Sequence, residues 1–111
     1  MEIQEQDQGA VSVLKPLGAL VAAEAEQFKQ RALEAAKQKL GRVLVDASGV
    51  PFVDSAGLEA LVDLTEELGQ SGRVLKLCAA TGTVREALEI TGWAEAFEFF
   101  EDVNMGVRSF L

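Results

Sequence analysis

Residues 43–62 read VLVDASGVPFVDSAGLEALV. Val43, Leu44 and Val45 form a short apolar run that, with Arg42 before it and Asp46 closing it, has the character of a strand buried on both faces. A loop of small residues follows. From Ser55 the spacing of apolar residues changes: Leu58, Leu61, Val62, Thr65 and Leu68 recur on one face of a helix running to Leu68. Gly69 and the Ser71-Gly72 pair break that helix. A buried strand, a loop and an amphipathic helix make half of a βαβ unit, so the question becomes what lies on either side.

Upstream, the polar residues 2–6 (EIQEQ) fit an edge strand, and Ala10–Leu14 a second strand after the turn chemistry of Asp7-Gln8-Gly9. This hairpin is expected to end at Pro16 and Gly18. Residues 22–40 are strong helix formers, with Ala25, Phe28, Ala32, Leu33, Ala36 and Leu40 at helical spacing and Gly41 as the stop. Downstream, Val74–Cys78 reads as a strand. A short helix capped by Thr83 carries Val84, Ala87 and Leu88 inward and ends near Thr91-Gly92. Phe97–Phe100 is an aromatic strand, and Asp102 caps a last helix with Val103, Val107, Phe110 and Leu111. The order ββαβαβαβα predicts an α/β fold: one mixed, mostly parallel sheet with helices packed on it, in a single domain over residues 1–111.

Composition narrows the function. Lys+Arg number 10 against Asp+Glu 18, a net charge of −8, which disfavours nucleic acid and anionic lipid as partners. No apolar run reaches the length of a membrane span, and MEIQEQDQGA lacks the features of a secretory signal, so a cytoplasmic location without membrane insertion is expected. With no histidine there is no Ser-His-Asp triad, and one cysteine forms neither an internal disulfide nor a thiolate metal cluster. No catalytic residue, metal or cofactor is expected.

Ser55 then admits three readings. It is a helix cap, alone or with Asp54; a nucleophile, for which a base is missing and Val53 stands where a nucleophile elbow needs glycine; or a hydroxyl that is modified, since a phosphate there would meet the positive end of a helix. The residues alone leave cap and modification open.

Leu44–Val50 (LVDASGV) followed by Phe52–Leu58 (FVDSAGL) resembles the core motif of the STAS domain family, of the anti-sigma factor antagonist type. Arg73–Leu77 is similar to that family's next strand, and Val84–Trp93 (VREALEITGW) to its V-x-x-x-L-x-x-T-G-[LW] helix. The resemblance implies that Ser55 is phosphorylated by an ATP-dependent serine kinase that is also the anti-sigma factor. Binding and release of that partner would then free or trap sigma, and a phosphatase would reset the switch. It implies a non-enzymatic bacterial signalling protein whose partner face holds Asp54, Ser55, Ala56, Gly57, Ser48 and Phe52, with Gly57 open to a close partner backbone. The chain departs from the pattern at Val21, where the family commonly has an acid. That change makes the face more apolar and suits a different partner, such as a transport ATPase carrying a small STAS subunit, or a homodimer.

Four further features read more simply. Cys78 fits a buried strand end, Trp93 closes the core, and alternate members of Phe97, Phe99 and Phe100 face it. Asp63, Glu59, Glu66 and Glu67 form the solvated face of their helix. Thr81-Gly82-Thr83 lacks the lysine of a phosphate-binding loop.

Overall fold

The computed structural model describes all 111 residues, Met1–Leu111. Five strands, β1 (Glu2–Gln8), β2 (Val11–Leu17), β3 (Val43–Asp46), β4 (Leu75–Cys78) and β5 (Phe97–Phe100), lie side by side in chain order. β1 and β2 are an antiparallel hairpin, and β2–β3, β3–β4 and β4–β5 pair in parallel. Between and after them run α1 (Ala22–Gln38), α2 (Ser55–Gly69), α3 (Gly82–Ile90) and α4 (Val103–Arg108). The predicted order, ββαβαβαβα in an α/β fold, is the one observed.

Alternation along the short parallel strands sorts the core into two layers. Val43, Val45, Leu75, Leu77 and Phe97 join Phe28, Ala32 and Ala35 of α1, Leu61, Leu64 and Leu68 of α2, and Val84 and Leu88 of α3 in one cluster. Leu44 and Cys78 point the other way, with Val11 and Val13, and are covered by Val103 and Val107 of α4 and by Phe110 just after it. Three helices therefore pack on one face of the sheet and one short helix on the other. α4 sits so close that a Cβ at Gly106 would come 2.6 Å from the Leu44 side chain.

One polar side chain ties the larger layer together. Thr65 is buried on α2; its hydroxyl donates to the Ala96 carbonyl at 2.6 Å and accepts from the Leu75 amide at 3.0 Å. It joins α2 to the first residue of β4 and to the turn that enters β5.

Several expectations change in detail. β2 does not stop at Pro16 but runs to Leu17. Its ladder to β3 covers only Ser12–Leu14, so the missing Pro16 N–H breaks no parallel bond. α1 ends at Gln38 because Leu40 turns left-handed (φ 55°) and the Gly41 amide donates back to the Ala36 carbonyl at 2.8 Å. Thr81, not Thr83, caps α3: its hydroxyl accepts from the Val84 amide at 3.3 Å and donates to the Val50 carbonyl at 3.2 Å. Trp93, expected in the core, is 37% exposed, because its amide closes the end of α3 on the Leu88 carbonyl and leaves the ring outside.

Candidate functional site

β2, β3 and β4 all deliver their following loops to the same end of the sheet, the end where α/β folds hold their sites. There the β2–α1 loop and the β3–α2 loop are zipped together. The Gly18 amide donates to the Gly49 carbonyl at 2.9 Å and the Leu20 amide to the Phe52 carbonyl at 3.2 Å. The Asp54 amide then returns to the Leu20 carbonyl at 3.3 Å, beside a parallel bridge between Leu20 and Val53. Leu20 is buried and anchors this clasp in the core.

The clasp explains Gly57. A Cβ there would lie 2.0 Å from the Leu20 carbonyl oxygen, which no side chain tolerates. Gly57 is buried, and the close backbone it admits is the chain's own rather than a partner's. The reading of Gly57 as open to a partner is corrected accordingly.

Asp54 occupies the cap position of α2, and one carboxylate oxygen accepts from the Gly57 amide at 2.9 Å. Its other oxygen accepts from the Ala22 amide at 3.1 Å, in the first turn of α1. That second bond matters because Val21, at the cap position of α1, offers no side-chain acceptor. One carboxylate thus caps two helices. Ala22 itself adopts a left-handed φ of 47°, a conformation uncommon for alanine.

Asp46, at the end of β3, plays a similar local part. It is nearly buried, and its side chain accepts from the Ser48 amide at 3.0 Å, holding the tight turn Ala47–Gly49. That turn leaves Ser48 exposed.

Because Asp54 is the cap, Ser55 is not. It is the first residue of α2, exposed, and its hydroxyl takes part in no cap bond. The Gly57 amide is used by the Asp54 side chain and the Leu58 amide by the Asp54 carbonyl, at 2.9 Å in each case. Ser55 and Ala56 open the first turn of α2, at the positive end of the helix. Around them, Ser48, Phe52, Asp54 and Ser55 are exposed, and Val21 and Ala56 half-buried. Phe52, 49% exposed, is the large apolar group of this face.

Two residues that shape the site escaped the sequence reading. Leu20 looked like one more apolar residue before a helix, yet its backbone is what the β3–α2 loop and Gly57 close upon. Thr81, not the expected Thr83, caps α3, and its bond to Val50 fastens the neighbouring loop. Neither residue carries a local signal that separates it from its neighbours.

With this geometry, the model of the STAS domain family matches residues 2–105. The chain belongs to the STAS domain family. Its fold is shared with an anti-sigma factor antagonist from Mycobacterium paratuberculosis, at 21% identity and a TM-score of 0.82, covering 97% of this chain and 92% of that one. It is shared as well with the Bacillus anti-sigma factor antagonist SpoIIAA. The unphosphorylated form is 19% identical, with a TM-score of 0.75, covering 97% of this chain and 96% of that one. The phosphorylated form gives 16% identity and the same TM-score, covering 99% and 100%. The murine solute carrier 26 family member A9 anion transporter contains the fold too, at 21% identity and a TM-score of 0.75, with 95% of this STAS chain covering 18% of the transporter. At these identities the likeness is one of fold. No curated protein matches the sequence. No helix of the STAS chain is long and apolar enough to cross a membrane.

Proposed function

We propose that this STAS protein is a single-domain, cytoplasmic binding module of the anti-sigma factor antagonist type, switched by phosphorylation of Ser55. The observation that carries the reading is the position of that hydroxyl. It is exposed at the start of α2, with the capping work done by Asp54. Phosphate there adds roughly 1.5 to 2 negative charges and three strong acceptors where a helix end favours an anion. The fold tolerates that addition. A partner packed over Phe52 and the small residues around Ser55 does not, because it would have to bury the new charge.

In this reading the partner is an anti-sigma factor with serine kinase activity, and a phosphatase removes the phosphate. Ser48, Phe52, Asp54, Ser55, Ala56 and Val21 form the contact face, and Gly57 supports it from beneath. The protein supplies a substrate hydroxyl and no catalysis of its own. Support comes from the fold shared with SpoIIAA, which is solved in both phosphorylation states.

Intact mass and fragment mapping of the protein from its native cells test this. The expected result is one phosphate on Ser55, absent from Ser55→Ala, with partner binding lost in the phosphorylated form. A Ser55 that stays unmodified in growth and in stress would overturn the switch. A second reading is favoured by Val21: a permanent docking subunit of a transport complex, for which an apolar residue suits a contact that is never released. It predicts binding that is indifferent to Ser55→Asp.

A further inference from the structure

The β1 edge of the sheet has no strand beside it. β1 is seven residues long and pairs with β2 in unbroken register, from Glu2 opposite Leu17 to Gln8 opposite Val11. Its other side has no neighbour in the sheet. Exposed edges of this length are ordinarily blunted by proline, lysine, a bulge or an inward-pointing charge, since free N–H and C=O groups recruit another strand. β1 contains no proline and no lysine, and its register shows no bulge.

Its charges on the helix side are neutralised from within. Glu5 pairs with Arg31 and Asp7 with Lys39, the latter at 3.1 Å, both partners lying on or just after α1. The terminal ammonium donates to Gln27 of the same helix at 2.9 Å. On the other face, Gln4, Gln6 and Gln8 stand opposite Lys15, Val13 and Val11 of β2. α4 covers the Leu44 and Cys78 region of that face, and the three carboxamides remain outside it. The far edge of the sheet differs: β5 has four residues, and the Arg85 guanidinium sits 4.4 Å above the Phe99 ring.

We propose that the free edge of β1 is a dimer seam, pairing antiparallel with β1 of a second copy so that the sheet continues across a two-fold axis. An isologous seam needs a strand that complements itself. Glutamine does so, because each carboxamide both donates and accepts. In a register centred on Gln6, that residue meets its own counterpart and Gln4 meets Gln8 of the second copy; Glu5 then stands opposite Asp7, each already paired within its own chain, to Arg31 and Lys39. The seam does not include Ser55 and does not depend on the phosphorylation reading.

Sedimentation velocity of the full chain, from low micromolar to millimolar concentration, tests the proposal together with hydrogen exchange. A reversible dimer is expected, with the outward amides of β1 protected only at high concentration. The triple variant Gln4→Lys/Gln6→Lys/Gln8→Lys places like charges opposite each other and is expected to weaken the dimer at least about tenfold, from the cost of facing like charges summed over three pairs. The same variant makes each chain less negative, which relaxes general repulsion, so weakening reports on the seam itself. Its far-UV circular dichroism should match that of the parent, excluding a folding defect. A chain that stays monomeric throughout overturns the proposal. So does a dimer unaffected by the three lysines, or one whose β1 amides exchange at the monomer's rate, since either places the contact elsewhere.

Discussion

Asp54 is the residue whose removal should hurt most for its size. Its side chain is small and exposed, so a surface substitution would ordinarily cost within about 0.5 kcal/mol. Here one oxygen serves the Gly57 amide at 2.9 Å and the other the Ala22 amide at 3.1 Å. An N-cap is worth about 1 kcal/mol, and α1 has no other side-chain cap because Val21 supplies none. Asp54→Ala should therefore cost about 2 kcal/mol, or roughly 8 °C in Tm for a domain of this length. Asp102→Ala is the internal standard, since Asp102 caps only α4, through the Met105 amide at 2.8 Å. It should cost about half as much. Asp54→Asn separates the two bonds: its oxygen still accepts from Gly57, whereas its amide nitrogen cannot accept from Ala22. That variant should lose about 1 kcal/mol. Val21→Asp in the Asp54→Ala background should recover about 0.5–1 kcal/mol by restoring a cap to α1, and should gain less in the parent, where Ala22 already has its acceptor. Urea unfolding with a constant slope measures all five. If Asp54→Ala costs no more than Asp102→Ala, the double cap is refuted.

Three further outcomes follow from the packing. Thr65→Val keeps the shape but strands the Leu75 amide and the Ala96 carbonyl, and should cost about 2–3 kcal/mol in chemical unfolding; a loss under 1 kcal/mol would mean that neither bond matters. Leu40 is 72% exposed and left-handed, so Leu40→Gly should stabilise by about 0.5–1 kcal/mol, the relieved strain exceeding the entropy glycine adds to the unfolded chain, and a lower Tm would contradict the turn. Burial, followed by the nearby charges of Asp46 and Asp102, pushes the Cys78 thiol from 9.0 to about 12. The folded protein holds that proton more tightly than the unfolded chain. The resulting stability is present below pH 9 and is lost as pH rises from about 9 toward 12. At pH 8 a thiol reagent should label Cys78 only as fast as the protein unfolds, and rapid labelling of the native form would show the site to be open.

The order and type of the elements were legible because their signals are local. The apolar run Val43–Val45 and the helical spacing from Leu58 to Leu68 hold whatever surrounds them, and they dictate strand, loop and helix. Asp54-Ser55 at a helix mouth was legible in the same way, as was Asp102 before α4. Whether Asp54 or Ser55 formed the cap was not, since both residue types cap helices well and only the backbone chooses between them. The same ambiguity misplaced the cap of α3 between Thr81 and Thr83. Trp93 was misassigned because its size argued for burial, while the turn that closes α3 on Leu88 turned it outward.

By itself, then, the sequence determined the alternation of strands and helices, the two faces of each helix and the class of the fold, since these depend on periodicities of two and 3.6 residues within one segment. Only the tertiary structure decided what the site is made of. The Leu20 backbone lies against Gly57, and the Asp54 carboxylate reaches Ala22, 32 residues away in the chain. Such contacts depend on how two loops meet at the end of the sheet, and no local pattern encodes that meeting. It is this meeting that uses up Asp54 and leaves the Ser55 hydroxyl free.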